Sequence, residues 1–170
     1  MKLRNMTSIY IQHGSKMLLL YRVGSRLFSN PLWCGIGGHF EDGELNEPRR
    51  CVLRELQEET GITENDLSGL RLKYITIRRK GDEIRQQYIY FAESIRGDMD
   101  LSACDEGVLK WTEIEMIPSL QMSYTNSQCL SHYFAKGQYN AFVYAGVATN
   151  DNGKPGMVFT AIEDFETNYI

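Results

Sequence analysis

The stretch from Gly37 to Ile62 constrains this chain more than any other, because it specifies a glycine turn, an acidic loop and a helix in succession. It reads GGHFEDGELNEPRRCVLRELQEETGI. Pro48 suits the first turn of a helix, where its missing N–H leaves no hydrogen bond unmade. Either Asn46 or Glu47 is the N-cap, and Asn46 is the better capping residue by type. Gly61 is typical of the residue that follows a helix, and Ile62 is placed to pack back against the last turn.

The predicted helix has two different faces. At 100° per residue, Val52, Leu53 and Leu56 fall within an arc of roughly 100°, which predicts the buried face. Glu55 and Glu59 lie one turn apart on the adjoining face, where like charges destabilise a helix by a few tenths of a kcal/mol. We therefore expect a cation to offset this charge.

More carboxylates surround the pair. Glu58 lies beside it on the helix, and three further acidic residues precede it in the turn: Glu41, Asp42 and Glu44. Mg²⁺ prefers oxygen ligands and takes a few carboxylates together with substrate phosphates. A solvated acidic face is the alternative for an isolated Glu-x-x-Glu-Glu, but it leaves the residues at fixed offsets around the cluster unexplained.

At these residues the sequence resembles the Nudix hydrolase family, of the MutT-like type, whose signature is G-x5-E-x7-R-E-U-x-E-E-x-G-U, with U a bulky aliphatic residue. Gly38 and Glu44 match the first half, and seven residues match the second half: Arg54, Glu55, Leu56, Glu58, Glu59, Gly61 and Ile62. Nine residues, Leu45 to Leu53, separate the halves where the pattern has seven. Because Pro48 stands where many family members have proline, we expect the two extra residues to lengthen the loop and to leave the helix intact.

Composition excludes several other classes of protein. The chain has 170 residues, enough for one domain with a real core, and we expect a single domain over residues 1–170. There is no apolar run long enough for a membrane span. The net charge of −4 argues against a nonspecific nucleic-acid or anionic-membrane binder. The cysteines, at positions 34, 51, 104 and 129, show no C-x-x-C spacing, so we expect reduced thiols in a cytoplasmic protein.

Hydrophobic patterning predicts more strands than helices. The predicted strands are 7–11, 16–21, 32–36, 70–79, 87–92, 108–112, 141–148 and 157–162. A second helix is expected over Ser123–Ala135, capped by Ser123 or Thr125 and ended by Gly137, and a brief helical turn over 114–118. The last two strands are joined by the turn Asn150–Gly153.

These elements predict an α+β fold with a mixed sheet. The resemblance implies the Nudix α/β/α sandwich, with a C-terminal helix and a strand pair. The strand pair, within about 137–170, is expected as an elaboration on the edge of the sheet.

The resemblance also implies a metal site and a reaction. Glu55, Glu58 and Glu59 would hold Mg²⁺, for which Mn²⁺ can substitute, with Glu44 and the carbonyl at or next to Gly38 assisting. The implied activity is pyrophosphohydrolysis, the addition of water to a phosphorus of a nucleoside diphosphate derivative.

The same resemblance suggests further catalytic residues. Family members often place a carboxylate before a tryptophan strand, and Glu106 stands there, with Asp105 as the substitute if the register differs by one. Glu55 or Glu106 would be the general base. Arg54 is expected to orient the turn carboxylates and not to touch substrate.

Two arginines and one histidine are candidates for substrate binding. Arg78, near a hairpin, and Arg22, at a strand end, could contact a triphosphate tail, since guanidinium forks suit phosphate. His39, inside the glycine turn, could approach a phosphate. Solvated surface roles are the alternative for each.

The expected partner is a small-molecule nucleotide, with no nucleic acid and no membrane; a homodimer is compatible with the sequence. MutT-like resemblance points to nucleoside triphosphates, 8-oxo-dGTP in particular. Two alternatives stay open: another substrate such as a nucleotide sugar or a dinucleotide, and an idle domain that binds a nucleotide and regulates a partner.

Overall fold

A computed structural model of the chain describes residues 1–22, 31–97, 101, 104 and 106–166. In chain order, these residues form eight strands and two α-helices: β1 (Lys2–His13), β2 (Lys16–Arg22), β3 (Leu32–Cys34), α1 (Pro48–Thr60), β4 (Leu67–Lys80), β5 (Glu83–Ser94), β6 (Gly107–Glu113), α2 (Tyr124–Ala135), β7 (Val143–Asp151) and β8 (Lys154–Ile162). Short 3₁₀ helices cover Glu64–Asp66, Ile114–Ser119 and Gly137–Tyr139.

All eight strands belong to one mixed sheet. Their order is β3-β2-β1-β5-β4-β7-β8, and β6 also pairs with β2. The pairings β1–β5 and β4–β7 are parallel, and the others are antiparallel. The predicted α+β fold with a mixed sheet is confirmed.

One helix packs on each face of the sheet. On one face, Val52 and Leu56 of α1 cover a buried cluster that includes Ile9 and Leu18. On the other face, α2 covers a second cluster through three of its side chains, Cys129, Leu130 and Tyr133. The α/β/α sandwich follows from this arrangement, because each helix has only one apolar stripe to bury.

The predicted signature helix is confirmed, with two differences in detail. Its N-cap is Glu47, which makes no capping hydrogen bond through its side chain, so the preference for Asn46 is wrong. Cys51 is fully buried and Leu53 only partly, which shifts the buried face by part of a turn. Gly61 adopts the left-handed conformation with φ 75°, as predicted for the residue that ends the helix.

The strands are mostly longer than the sequence predicts. β1 and β5 each begin several residues earlier than predicted, at Lys2 and Glu83. They do so because they pair with each other along eleven residues, from Lys2 to Gln12 on β1. The strand predicted over 32–36 ends at Cys34 instead, and Ile36 forms an isolated bridge with Ile9. Pairing between distant segments decides these ends, and local sequence does not record it.

The second helix begins as predicted and ends differently. Ser123 is its N-cap and accepts a hydrogen bond from the Asn126 N–H, at 3.3 Å. Gly137 is not the residue that caps the helix, since Lys136 occupies that position. A Cβ atom at Gly137 would lie 2.4 Å from the Tyr74 hydroxyl, so packing requires this glycine.

Candidate active site

The glycine turn lies directly against α1. Gly38 is hydrogen-bonded to β1, because its carbonyl accepts from the Thr7 N–H at 2.9 Å. A Cβ atom at Gly37 would lie 2.4 Å from the Thr7 carbonyl oxygen, and one at Gly38 would lie 2.5 Å from Oε2 of Glu55. Two glycines are needed here because one approaches a strand and the other approaches a helix carboxylate.

Arg54 ties the acidic loop to the helix. Its Nε and Nη2 atoms donate to the two carboxylate oxygens of Glu44 at 2.9 and 3.0 Å, and Nη2 also donates to the His39 carbonyl at 3.0 Å. Its Nη1 atom lies 3.0 Å from Glu55 and 2.9 Å from Glu58. Arg54 therefore contacts the loop and two of the three helix glutamates at once.

Glu44 is buried and fully engaged by these contacts. It also accepts a hydrogen bond from the Glu41 N–H at 2.9 Å. The hydrogen bonds from Arg54 are the main reason that the pKa of Glu44 falls to about 2. Both of its oxygens thus already accept hydrogen bonds, from Arg54 of α1 and from the loop backbone, and a role for Glu44 as a direct metal ligand stays a prediction.

Glu55 and Glu59 are in the opposite electrostatic situation. Burial raises the pKa of Glu55, although the neighbouring Arg54 acts against this shift. Burial, and then the nearby charge of Glu106, raise the pKa of Glu59 well above its ordinary value. Oε2 of Glu59 accepts from the Gly37 N–H at 3.3 Å, whereas Oε1 is buried and accepts no hydrogen bond.

Arg22 bridges the helix to the loop before β6. Its Nη2 atom lies 3.7 Å from Oε1 of Glu59 and forms a close ion pair with Glu106. Cys34 is near the same group: burial raises the pKa of its thiol to about 11, and the charges of Arg22, Glu59 and Glu106 also act on it. The structure therefore brings together Arg22, Glu59 and Glu106, while Asp105 lies outside the described residues.

His39 and Arg78 belong to a row of cations on the sheet face opposite α1. Arg4, Arg85 and Arg78 stand directly opposite one another on β1, β5 and β4. Glu83 accepts from Arg4 and from Arg85, each at 2.8 Å, and Arg4 contacts the His39 ring at 3.3 Å. Partial burial and then the charges of Arg4, Arg85 and Arg22 lower the pKa of His39, and the charge of Glu106 acts against this shift.

Arg78 makes no hydrogen bond or ion pair with the helix glutamates within the described part of the chain. Its guanidinium is half-buried and faces Arg85, which together lower its pKa. Sequence reasoning missed Arg4, because the parallel pairing of β1 with β5 is what places it in this row. It also missed Cys34, whose only sequence signal is its position just before the glycines.

The donor set around Glu59 fits a hard divalent cation. The fit rests on a buried carboxylate oxygen without a hydrogen bond, on a second carboxylate pressed against Gly38, and on the raised pKa values of both glutamates. The Gly37 carbonyl adds a backbone oxygen that accepts no hydrogen bond from any described residue. Across the residues that the structure describes, no group of three His, Cys, Asp or Glu side chains is arranged to hold a metal ion. Arg54 pairs with Glu58, and Arg22 pairs with Glu106.

Comparison with known proteins identifies the class. A family model described as NUDIX domain matches residues 2–133. The chain belongs to the Nudix family, and it is a hydrolase that acts on phosphorus-containing anhydrides.

Solved structures share the fold at low sequence identity. A mutator MutT protein from Bacillus halodurans has a TM-score of 0.67 at 20% identity, covering 92% of this chain and 97% of that chain. A MutT Nudix hydrolase from Burkholderia pseudomallei has a TM-score of 0.62 at 19% identity, covering 77% and 98%. An Ap4A hydrolase from C. elegans has a TM-score of 0.62 at 18% identity, covering 79% and 96%. At such identities the likeness establishes the fold and not the substrate. Among the described residues, no helix is long and apolar enough to cross a membrane.

Proposed function

We propose that this chain is an Mg²⁺-dependent pyrophosphohydrolase that converts nucleoside triphosphates, with 8-oxo-dGTP preferred, to the monophosphate and pyrophosphate. The observation that carries the proposal is the pair of Glu55, which is partly buried, and Glu59, which is buried, beside the glycine turn, with one oxygen of Glu59 left without a hydrogen bond. Carboxylates that are withdrawn from water beside one another are destabilising unless a cation or a proton neutralises them.

Glu55, Glu59 and the backbone oxygens of the glycine turn would hold the metal, with Glu58 joining after it leaves Arg54. A bound Mg²⁺ would supply positive charge to the phosphate oxygens and Lewis acidity at the phosphorus. Mn²⁺ has the same charge and accepts the same oxygen donors, so we expect it to support the reaction.

The protein's own side chains would supply the other requirements of the reaction. Glu55 and Glu106 both lie at the site and are the two candidates to take the proton of the attacking water. Arg22 reaches both Glu59 and Glu106, and its guanidinium is placed to neutralise phosphate charge once it leaves Glu106. Arg54 contacts Glu44, Glu55 and Glu58, which supports a positioning role.

Arg78 and His39 would contribute on the opposite face of the sheet. They belong to a row of three arginines that is accompanied by one carboxylate, Glu83, so the row carries excess positive charge. Such excess suits the negative charge of a nucleotide. We propose substrate binding through electrostatic attraction of the nucleotide as their role, and Arg78→Ala should raise KM more than it lowers kcat.

Substrate class is tested with a panel of nucleoside triphosphates, nucleotide sugars and dinucleoside polyphosphates in ¹⁸O-labelled water. We expect 8-oxo-dGTP to give the highest kcat/KM, with Mg²⁺ required and EDTA inhibitory. Label in pyrophosphate shows attack at the β phosphorus, and label in the monophosphate shows attack at the α phosphorus. Faster turnover of dinucleotides or nucleotide sugars refutes the triphosphate assignment, and binding without turnover supports an idle domain.

The catalytic role of the helix is tested with Glu55→Gln and Glu59→Gln, which remove charge at nearly constant shape. Each should lower kcat by roughly 10²-fold or more, the scale of a lost base or charge-stabilising group. Glu47→Gln is the matched control, because Glu47 is exposed at the helix start and makes no capping hydrogen bond through its side chain. Equal losses at all three positions would contradict a specific site.

We further propose a cytoplasmic location. All four cysteines are free thiols, which agrees with a reducing compartment.

A further inference from the structure

β8 is the last strand at one end of the sheet. Within the part of the chain that the structure describes, β7 is its only strand partner, so the outer edge of β8 is unpaired. This edge lies at the far end of the sheet from β2 and α1. Exposed edges usually carry charges, prolines or bulges that discourage pairing with another chain.

β8 carries few of these protective features. Its sequence is KPGMVFTAI, with one charge and one proline, both in the first two residues. Its pairing with β7 is continuous over nine residues, from Asp151–Lys154 to Val143–Ile162. Val158 and Ile162 are large apolar side chains on the exposed face, 58% and 47% accessible. The strand is thus long, regular and apolar beyond Pro155.

The turn that joins β7 to β8 determines which backbone groups point outward. Asn152 and Gly153 both have positive φ, 51° and 85°, as in a two-residue hairpin turn, so Asp151 and Lys154 form a hydrogen-bonded pair. Hydrogen-bonded pairs then alternate along the ladder. The N–H and C=O groups that face away from β7 belong to Met157, Phe159 and Ala161, and at Pro155 only the carbonyl does.

The carbonyl of Pro155 already has a partner, because the Tyr124 hydroxyl donates to it at 3.0 Å. Pro155 has no N–H, so its end of the edge is closed to further pairing. The open part of the edge therefore consists of the outward groups of Met157, Phe159 and Ala161.

This open part is complementary to itself. In an antiparallel arrangement with a two-fold axis at Phe159, Phe159 lies opposite its own copy, and Met157 lies opposite Ala161 of the other chain. Every outward N–H and C=O of the three residues then gains a partner. A shift of the axis to Val158 would place Pro155 opposite Ala161 and lose a hydrogen bond.

The charges at the two ends of the edge agree with the same register. With the axis at Phe159, Lys154 at the start of β8 falls in register with Asp164, which is two residues beyond the end of β8 and whose Oδ1 also accepts a hydrogen bond from the Glu166 N–H at 3.1 Å. The pair occurs twice in a symmetric dimer, and opposite charges across paired strands stabilise the pairing. Both residues are exposed.

We propose that β8 is a self-association edge, through which two copies of this chain pair antiparallel about Phe159 into one continuous sheet. The proposal does not depend on the reaction catalysed, since the candidate active site lies on α1 at the other end of the sheet. Both sites of the dimer stay accessible.

The test is sedimentation velocity over a concentration series, with two charge variants. The native chain should show a concentration-dependent dimer. Lys154→Glu and Asp164→Lys should each raise the dimer dissociation constant by about tenfold, because each places like charges opposite one another twice. An equimolar mixture of the two variants should dimerise again, because every cross-chain pair then joins opposite charges.

Two controls separate the edge from other surfaces. Lys80→Glu makes the same change of charge at the exposed tip of the β4–β5 hairpin and should leave the dimer intact. Val147→Thr alters the exposed face of β7 without touching the edge and should also leave it intact. A native chain that stays monomeric into the millimolar range, or charge variants that dimerise like the native chain, would overturn the proposal; far-UV circular dichroism confirms that each variant is folded.

Discussion

At the scale of single residues, the site separates its glutamates by environment. Glu44 is surrounded by hydrogen-bond donors, which lower its pKa, whereas Glu59 is buried beside another acid, which raises its pKa. Glu58 is mostly exposed and pairs with Arg54 one turn away. One acidic segment therefore contains a structural carboxylate, a buried carboxylate suited to a cation, and a solvated one.

The lowered pKa of Glu44 has a consequence for stability in acid. Because the folded state holds Glu44 ionised down to about pH 2, this carboxylate stabilises the fold above its unfolded pKa near 4.5 and loses that effect as the pH falls. Glu44→Gln should lower the free energy of unfolding by about 2–4 kcal/mol at pH 7, since Arg54 loses its buried partner. Urea unfolding between pH 7 and pH 3 should show a smaller acid dependence in the variant; parallel curves would contradict this role.

The raised pKa of Glu59 has the opposite effect on the pH dependence of stability. The folded state binds this proton more tightly than the unfolded state, so the contribution of Glu59 to metal-free stability is greatest below pH 4.5 and falls as the pH rises toward the folded pKa. Mg²⁺ should therefore raise the melting temperature more at pH 8 than at pH 5. Glu59→Gln should flatten the metal-free profile and remove most of the Mg²⁺ effect, as followed by thermal melting with Mg²⁺ or EDTA. An unchanged Mg²⁺ effect in this variant would place the metal elsewhere.

At the scale of elements, the glycine turn and α1 form one unit. The turn is fixed to β1 through the hydrogen bond from the Thr7 N–H to the Gly38 carbonyl, and α1 is fixed to the same sheet by Val52 and Leu56. The sheet thus holds both the helix carboxylates and the turn backbone in place, and the hydrogen bond from the Gly37 N–H to Glu59 joins them. Their separation depends on the absence of a side chain at Gly38.

Adding a methyl group to this turn should weaken Mg²⁺ binding at one glycine and destabilise the fold at the other. Gly38→Ala would bring a Cβ atom to 2.5 Å from the Glu55 carboxylate, which can rotate away, so we expect weaker Mg²⁺ binding with a modest loss of stability. Gly37→Ala would meet the Thr7 backbone at φ 143° and should destabilise the fold itself. Gly43→Ala is the control, since φ is also positive at 88° but nothing lies within 4 Å. Isothermal titration with Mg²⁺ and urea unfolding measure the two effects; equal Mg²⁺ affinity in Gly38→Ala and Gly43→Ala would refute the first expectation.

Local signals explain why the sequence predicts α1 well and the cation row poorly. Pro48, Gly61 and the apolar spacing each act within a turn or two of the helix, so they can be recognised without the fold. The row of Arg4, Arg85 and Arg78 depends on two strand registers between distant segments, which the sequence does not record. The role of Gly137 is also mispredicted because it depends on a distant segment. Gly137 does not cap α2, and a glycine is needed there because Tyr74 of β4 packs against it.

At the scale of the whole molecule, the C-terminal hairpin completes the core although it lies beyond the region that the family model matches. Tyr144 of β7 is fully packed, with its ring 5.7 Å from that of Tyr74. Phe159 of β8 stacks on His132 of α2 at 4.5 Å. The side-chain nitrogen of the buried Lys73 donates to the Asn140 carbonyl at 2.7 Å. This hydrogen bond anchors the segment that leads into the hairpin to β4. We propose that residues 1–170 form one cooperative unit.

Tyr144→Ala tests this cooperativity. Removing the ring from the core should lower the free energy of unfolding by about 3–5 kcal/mol, whereas Val147→Ala on the exposed face of the same strand should cost less than about 1 kcal/mol. Trp33 and Trp111 lie on β3 and β6, at the opposite end of the sheet, so their fluorescence reports unfolding far from the hairpin. In one cooperative unit, Tyr144→Ala shifts the urea midpoint seen by tryptophan fluorescence as much as the midpoint seen by far-UV circular dichroism. A tryptophan transition that stays at the native midpoint would show instead that the hairpin is an appendage to an independently stable domain.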